Sequence, residues 1–329
     1  MKTKTKNQIA NVLDKYTMHI ILVVLFVIMS FSSEFFFTAD NLLNILRLES
    51  FRAIMVMGMG LVIIIGGIDL SIGQVAALAS VITASLIQNL DATTRLLPDT
   101  VFMPIAIGVL AGLLVGVIVG IINGYFIAYI DLPPFIATLG TQVLCQGISY
   151  TYTNAAPVSN LRDGFSYIAQ GYVGPIPLVV IYVVILSFAV WILLNKTRFG
   201  KHIYAIGGSE SAARVAGIKV EKTKIIVYAF CGFVGALSGV CLASHTGAGN
   251  SLLATNYQLD AVSSCAIGGV SMSGGVGTVS GMLVGWLILG VLNNGMLLLG
   301  FSTYLQLVVK GLLILAAVTI DKKKSARRA

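Results

Sequence analysis

The chain has 329 residues, of which 57% are hydrophobic and only 10% charged. A soluble domain carries about 25% charged residues, so a large soluble domain is excluded and many membrane spans are allowed. The formal charge of +8 does not describe a nucleic-acid-binding face, because the basic residues sit at the two ends and in one loop and otherwise alternate with apolar runs.

In chain order, Lys2, Lys4, Lys6 and Lys15 precede an apolar run from Met18 to Phe31. This has the outline of a signal peptide. Where a small-x-small cleavage site would stand, however, the chain has Ser32, Ser33, Glu34 and three phenylalanines, so the run is read as an uncleaved first span. A span needs about 20 mostly apolar residues to cross a hydrocarbon core of roughly 30 Å. Ten are expected, near 18–33, 51–68, 72–89, 103–123, 135–152, 176–194, 225–245, 258–272, 277–299 and 303–320. All should be helices, because backbone polar groups in lipid must be satisfied within the segment. The expected fold is therefore all-α, a polytopic transmembrane helical bundle forming one domain over residues 1–329.

Ten spans place both ends of the chain on the same side as the 195–224 loop. That side holds sixteen basic residues: Lys2, Lys4, Lys6, Lys15, Lys196, Arg198, Lys201, Arg214, Lys219, Lys222, Lys224, Lys322, Lys323, Lys324, Arg327 and Arg328. The other side has four, Arg47, Arg52, Arg95 and Arg162, with Lys310 inside the last span. Basic loops stay on the cytoplasmic side, so both termini are expected in the cytoplasm.

Polar and glycine residues inside the apolar runs are the informative ones. The fourth span carries Gly108, Gly112, Gly116, Gly120 and Gly124 on one face, and the ninth repeats the device with Gly277, Gly281 and Gly285; both read as packing surfaces for close helix approach. GGIDLSIG (Gly66 to Gly73) and GGVSMSGG (Gly268 to Gly275) interrupt the chain at corresponding places. They mark either a substrate pathway or tight turns that need glycine. Asp69, Asp260 and Lys310 are charges within or at the ends of apolar spans. They are either a gate or coupling pair, or a buried ion pair, Lys310 with Asp260, that fixes helix register. In the fifth span Thr138, Gln142, Gln146 and Ser149 share a helix face. Amides and hydroxyls suit a neutral sugar and equally suit interhelical hydrogen bonds. Asn293 and Asn294 near the end of the ninth span pose the same choice. The cysteines Cys145, Cys231, Cys241 and Cys265 lie in apolar segments and read as small core residues. No GxxxxGK[ST] phosphate loop, nucleophile elbow or HExxH is present, and His19, His202 and His245 are far apart, so an enzyme is unsupported.

The 195–224 loop reads NKTRFGKHIYAIGGSESAARVAGIKVEKTK. After Gly208, Ser209 is placed to cap a short helix, Glu210 suits its first turn and Gly217 its end. Ala212, Ala213, Val215 and Ala216 give it a small apolar surface suited to a partner's groove, or to an ordinary connector.

This loop resembles that of the ribose/galactose-type permeases of ATP-binding-cassette importers. So do NLLNILR (Asn41 to Arg47), GGIDLS (Gly66 to Ser71), YTNAAPVSN (Tyr152 to Asn160), YQLDAVSSCAIGGVSMSGGVGT, GVLNNG (Gly290 to Gly295) and VVKGLLILAAV (Val308 to Val318). The likeness covers nearly the whole chain in order. It implies a bacterial inner-membrane, multi-pass permease that pairs with a second permease subunit, as a homodimer or close heterodimer within membrane lipid. It also implies two cytoplasmic ATPase subunits that bind ATP with Mg, and a periplasmic sugar-binding protein. The permease itself would bind no cofactor and no nucleic acid. The coupling loop of the family maps onto Glu210, Ala212, Ala213, Arg214 and Gly217, next to Gly208. The pathway candidates are Asp69, Ser71, Thr138, Gln142, Gln146, Asn293 and Asn294. Two departures, Leu297 where the family has asparagine and Ser264-Cys265 where aliphatics are usual, leave a polyol or a furanose open as cargo. The rival expectation is an ion-coupled carrier working through Asp69 or Asp260.

Overall fold

The computed structural model describes residues 2–93, 95–98 and 102–326, with side chains over most of 17–322. The side chains of Lys2, Lys4, Lys6, Lys15, Lys323 and Lys324, and all of Arg327 and Arg328, lie outside the described residues. Helices follow one another with short connections: α1 (Lys2–Ser32), α2 (Ala39–Ile64), α3 (Ile72–Ile87), α4 (Ile105–Tyr129), α5 (Pro134–Thr153), α6 (Tyr167–Gln170), α7 (Leu178–Lys196), α8 (Arg198–Gly208), α9 (Glu210–Val215), α10 (Val220–Thr246), α11 (Tyr257–Ile267), α12 (Val279–Leu298) and α13 (Thr303–Ala326). Among the described residues, the one sheet is the antiparallel pair β1 (Tyr172–Val173) and β2 (Ile176–Pro177) ahead of α7. Four helices, α4, α7, α10 and α12, are each long and apolar enough to cross a membrane. The molecule is an all-α membrane protein.

α10 is the hub, packing against α2, α3 and α4. The glycine face of α4 makes this possible. A Cβ on Gly116 would overlap the carbonyl oxygen of Gly232 on α10, and a Cβ on Gly232 would overlap that of Gly116. Further along, Gly112 faces Thr83 and Ala79 of α3. The packing reading of this face holds. In the second half Gly285 of α12 lies against the carbonyl of Ser264 on α11.

Three elements differ from the expectation. α2 starts at Ala39, a dozen residues early, because Thr38 caps it by accepting the Asn41 N–H at 3.3 Å and Asp40 stands in the first turn. Arg47, expected ahead of the span, thus belongs to the helix, and Arg52, expected at its outer edge, lies well inside it. α11 has only eleven residues, about 16 Å at 1.5 Å per residue, so it cannot cross roughly 30 Å of hydrocarbon. The chain reaches its start through 247–256, which runs beside α3: Gly249 and Asn250 contact Ser80, and Gln258 lies over Gly73. The 195–224 loop contains two helices rather than one, α8 being added ahead of α9 by the cap that Thr197 gives Gly200 N–H at 3.0 Å.

Since a single Cβ at Gly116 already meets backbone, Gly116→Leu should overpack the α4–α10 contact and destabilise by about 1–3 kcal/mol or more. Thermal unfolding in detergent measures this, and an unchanged midpoint would place that face against lipid.

Candidate functional site

The polar residues inside the bundle fall into two groups. The first surrounds the start of α3. Asp69, 1% exposed, accepts the Ser71 backbone N–H at 2.9 Å and its hydroxyl at 2.6 Å through Oδ1. Ser71 Oγ accepts from Asn123 Nδ2 of α4 at 2.9 Å, and Asn123 Oδ1 accepts from the Thr141 hydroxyl of α5 at 2.7 Å. One buried chain of hydrogen bonds thus ties α3, α4 and α5. On α5, Thr138 is buried and bonds back to the Pro134 carbonyl at 2.8 Å, and Ser149 is buried. Gln146 donates to the Tyr150 hydroxyl at 3.2 Å. Gln142 is half-buried, and its side-chain amide has no hydrogen-bond partner among the described residues.

The second group is ionic and joins α2, α11, α12 and α13. Arg52 pairs with Glu49 at 2.7 Å and with Asp260 at 2.9 Å, and Asp260 also pairs with Lys310 at 3.1 Å. The guanidinium stacks 4.3 Å from the Tyr257 ring centroid, and Asn293 donates to Glu49 at 3.3 Å. Two acids and two bases therefore neutralise one another in a site where an unpaired charge is expensive. The Lys310–Asp260 pairing is one of the two readings open from the sequence. Glu49 and Arg52 are its missed partners, and their i, i+3 spacing within an otherwise apolar run was the available signal. Asn294 and Asn41 exchange amide hydrogen bonds at 2.9 and 3.0 Å, closing the far ends of α12 and α2. The pathway candidates therefore do not form one cluster: Asp69 and Ser71 meet α4 and α5, whereas Asn293 and Asn294 meet α2. Of the family departures, Ser264 and Cys265 are buried, while Leu297 is 61% exposed.

At the opposite pole from Asn41 and Asn294, α8 covers the end of α2 and α9 follows it, packed on α8 and the start of α10. Ser209 accepts the Ala212 N–H at 3.3 Å as the cap of α9, and Gly217, at φ 79°, follows its end. Ala213 is buried, whereas Ala212 and Val215 face outward, Val215 with 91% exposure. Glu210 pairs with Arg214 at 2.9 Å and with Lys224 at 2.7 Å, and Arg214 reaches Glu221. Partial burial alone would raise the Glu210 carboxyl, but Lys224 and Arg214 together hold it below its ordinary value. The pairs fix α9 to the start of α10 and leave its small-residue face open.

A family model described as "Branched-chain amino acid transport system / permease component" matches residues 41–318. The galactose/methyl galactoside import permease MglC of Escherichia coli K12 is 38% identical over 335 residues, covering 100% of both chains. The ribose import permease RbsC of Bacillus subtilis 168 is 41% identical over 308 residues, 93% of this chain and 92% of its own. This chain belongs to the ribose/galactose-type permeases of ATP-binding-cassette importers. No solved structure matches it. As a permease it is a transport component of the bacterial inner membrane, not an enzyme, and the ion-coupled alternative finds no support.

In the permease, Arg52→Met would leave Glu49 facing only Asn293, so unfolding in detergent should show a loss of about 3–5 kcal/mol. Lys310→Met leaves Asp260 paired with Arg52 and should cost less, about 1.5–3 kcal/mol. Equal stability of both variants and the wild type would mean that the cluster is solvated.

Proposed function

We propose that this permease moves a monosaccharide or related polyol inward, receiving it from a periplasmic binding protein and drawing energy from a separate cytoplasmic ATPase that binds ATP with Mg. The observation that carries this reading is α9: a capped helix, braced by ion pairs, with small side chains turned outward for a partner's groove. Glu210, Ala212, Ala213, Arg214 and Gly217, with Gly208 at the end of α8, form the docking element. The substrate class follows the sugars in the names of MglC and RbsC, which the full-length likeness favours over the amino acids in the family description.

In this reading the ten helices α1–α5, α7 and α10–α13 lie in the membrane, α3 and α11 as short members, with both termini and α8–α9 in the cytoplasm. With Arg47 and Arg52 drawn into α2, the basic residues outside helices on the outer side reduce to Arg95 and Arg162, which sharpens the charge bias. Two such subunits, identical or closely related, enclose the pathway within membrane lipid. Gln142 is its leading lining residue, since its amide is half-buried and free to meet sugar hydroxyls. Thr138, Gln146, Asp69, Ser71, Asn293 and Asn294 position the helices around it.

The test is uptake and ATP hydrolysis in vesicles carrying the permease with the ATPase and binding protein that co-purify with it. Glu210→Arg and Gly217→Val should each lower uptake at least tenfold while the protein stays in the membrane. Gln142→Ala should lower uptake with basal ATP hydrolysis intact. Wild-type uptake that proceeds without ATP and collapses with an uncoupler would overturn the reading.

A further inference from the structure

Tyr204, in the second half of α8, donates its hydroxyl to the Gly277 carbonyl oxygen at 2.7 Å. One turn on, Gly207 lies flat against the end of α2, where a Cβ would overlap the Ile64 carbonyl oxygen. That same oxygen accepts the Gly275 N–H at 2.8 Å. Gly274 and Gly275 hold φ values of 85° and 72°, and a Cβ on Gly275 would sit 3.0 Å from Gly208 Cα. Both glycine motifs reach this point, since a Cβ on Gly274 would be 3.1 Å from Gly66 Cα. Three segments therefore meet backbone to backbone: the end of α2, the end of α8, and the turn from α11 to α12.

Such a contact transmits displacement well. Side chains at an interface change rotamer within nanoseconds and can absorb a small shift. Contacting backbones have no rotamers to change, and close-packed interfaces pass small shifts on as discrete rearrangements. On one side of the junction α8 runs through Ser209 directly into α9. On the other, Thr278 caps α12 by accepting the Gly281 N–H at 3.0 Å, and α11 leads back to Asp260 and its ion pairs. We infer that the contact of Tyr204, Gly207 and Gly208 with Gly274, Gly275 and Gly277 is the joint through which movement of α8–α9 is passed to α2 and to the α11–α12 hairpin. Tyr204 and Gly207 are positioning residues for transport. The inference rests on α9 being the ATPase-docking helix.

The four native cysteines are buried, so introduced thiols can be labelled selectively. Nitroxides on Lys201→Cys of α8 and Leu297→Cys, each paired with Leu114→Cys on α4, report the α8–α9 unit and the far end of α12 at three exposed positions outside the docking face. Distances are measured in the assembled complex with its ATPase, with and without Mg-ATP. In the otherwise unmodified protein both distances should shift. In Tyr204→Phe, and in Gly207→Ala, the Lys201 shift should persist while the Leu297 shift falls by at least half, with the unfolding midpoint of Tyr204→Phe unchanged. Full shifts at both positions in Tyr204→Phe overturn the joint even if Gly207→Ala fails to fold, and so does loss of both together. A Lys201 distance indifferent to Mg-ATP in the parent protein overturns the docking reading, and the joint with it. A parent in which Lys201 moves and Leu297 does not overturns the joint alone.

Discussion

Lipid gives helices no hydrophobic reason to associate, because a leucine is as well placed against an acyl chain as against another leucine. Association then depends on close backbone approach and on hydrogen bonds between helices. The reciprocal contact of Gly116 and Gly232 is the clearest instance, two carbonyls each lying where the other's Cβ would be. With α10 held this close to α4, Asn123 can reach Ser71, and Asp69 can be buried with hydrogen-bond donors in place. Had the helices stood apart by the width of ordinary side chains, that buried carboxylate would lack its second layer of support.

The two halves of the bundle solve the polar problem differently. Around α3, α4 and α5 the groups are hydroxyls and amides joined in a chain, with one carboxylate at its end. Around α2, α11, α12 and α13 full charges are present in balanced pairs. Neutral hydrogen bonds are individually modest, about 0.5–1.5 kcal/mol, and can be exchanged for bonds to a passing hydroxylated solute. Breaking a buried ion pair leaves an uncompensated charge and costs about 3–5 kcal/mol. The ionic half is thus the costlier one to open, which is why the proposed route for sugar runs along α5, where Gln142 is uncommitted.

Much of this was legible in the sequence because its signals are local. Apolar runs located the long helices, the spacing of four located the α4 glycine face, and Ser209 with Gly217 bracketed α9 correctly. What was missed depends on partners far along the chain. Arg52 was expected at the outer edge of the 51–68 span, and only the approach of Asp260, some two hundred residues away, explains a guanidinium inside the bundle. The expected span of 258–272 starts within one residue of α11 and overruns its end, because Val270 and Met272 continue the apolar pattern after the helix has stopped at Ile267. α8 was overlooked because its pattern is amphipathic and its apolar side, Ile203 and Ile206, is buried against the main core rather than against lipid.

The placement of charge also bears on where energy enters. An ion-coupled carrier needs a carboxylate that can gain and lose its counter-ion during the cycle. Asp260 is clasped by Arg52 and Lys310 at once, so releasing it would strand Lys310 and leave Arg52 with Glu49 alone in a low-dielectric interior. Asp69 is engaged through Oδ1 by the backbone N–H and hydroxyl of Ser71, the residue that leads into α3. Asp260 is thus not free to act as the coupling ion's seat without dismantling the helix contacts it supports. The proposed point of entry is instead at the end of the bundle, where α9 stands exposed and α8 rests on the ends of α2 and the α11–α12 turn. In the proposed reading a driving force applied there reaches α2, α11 and α12 without requiring any buried charge to change its state.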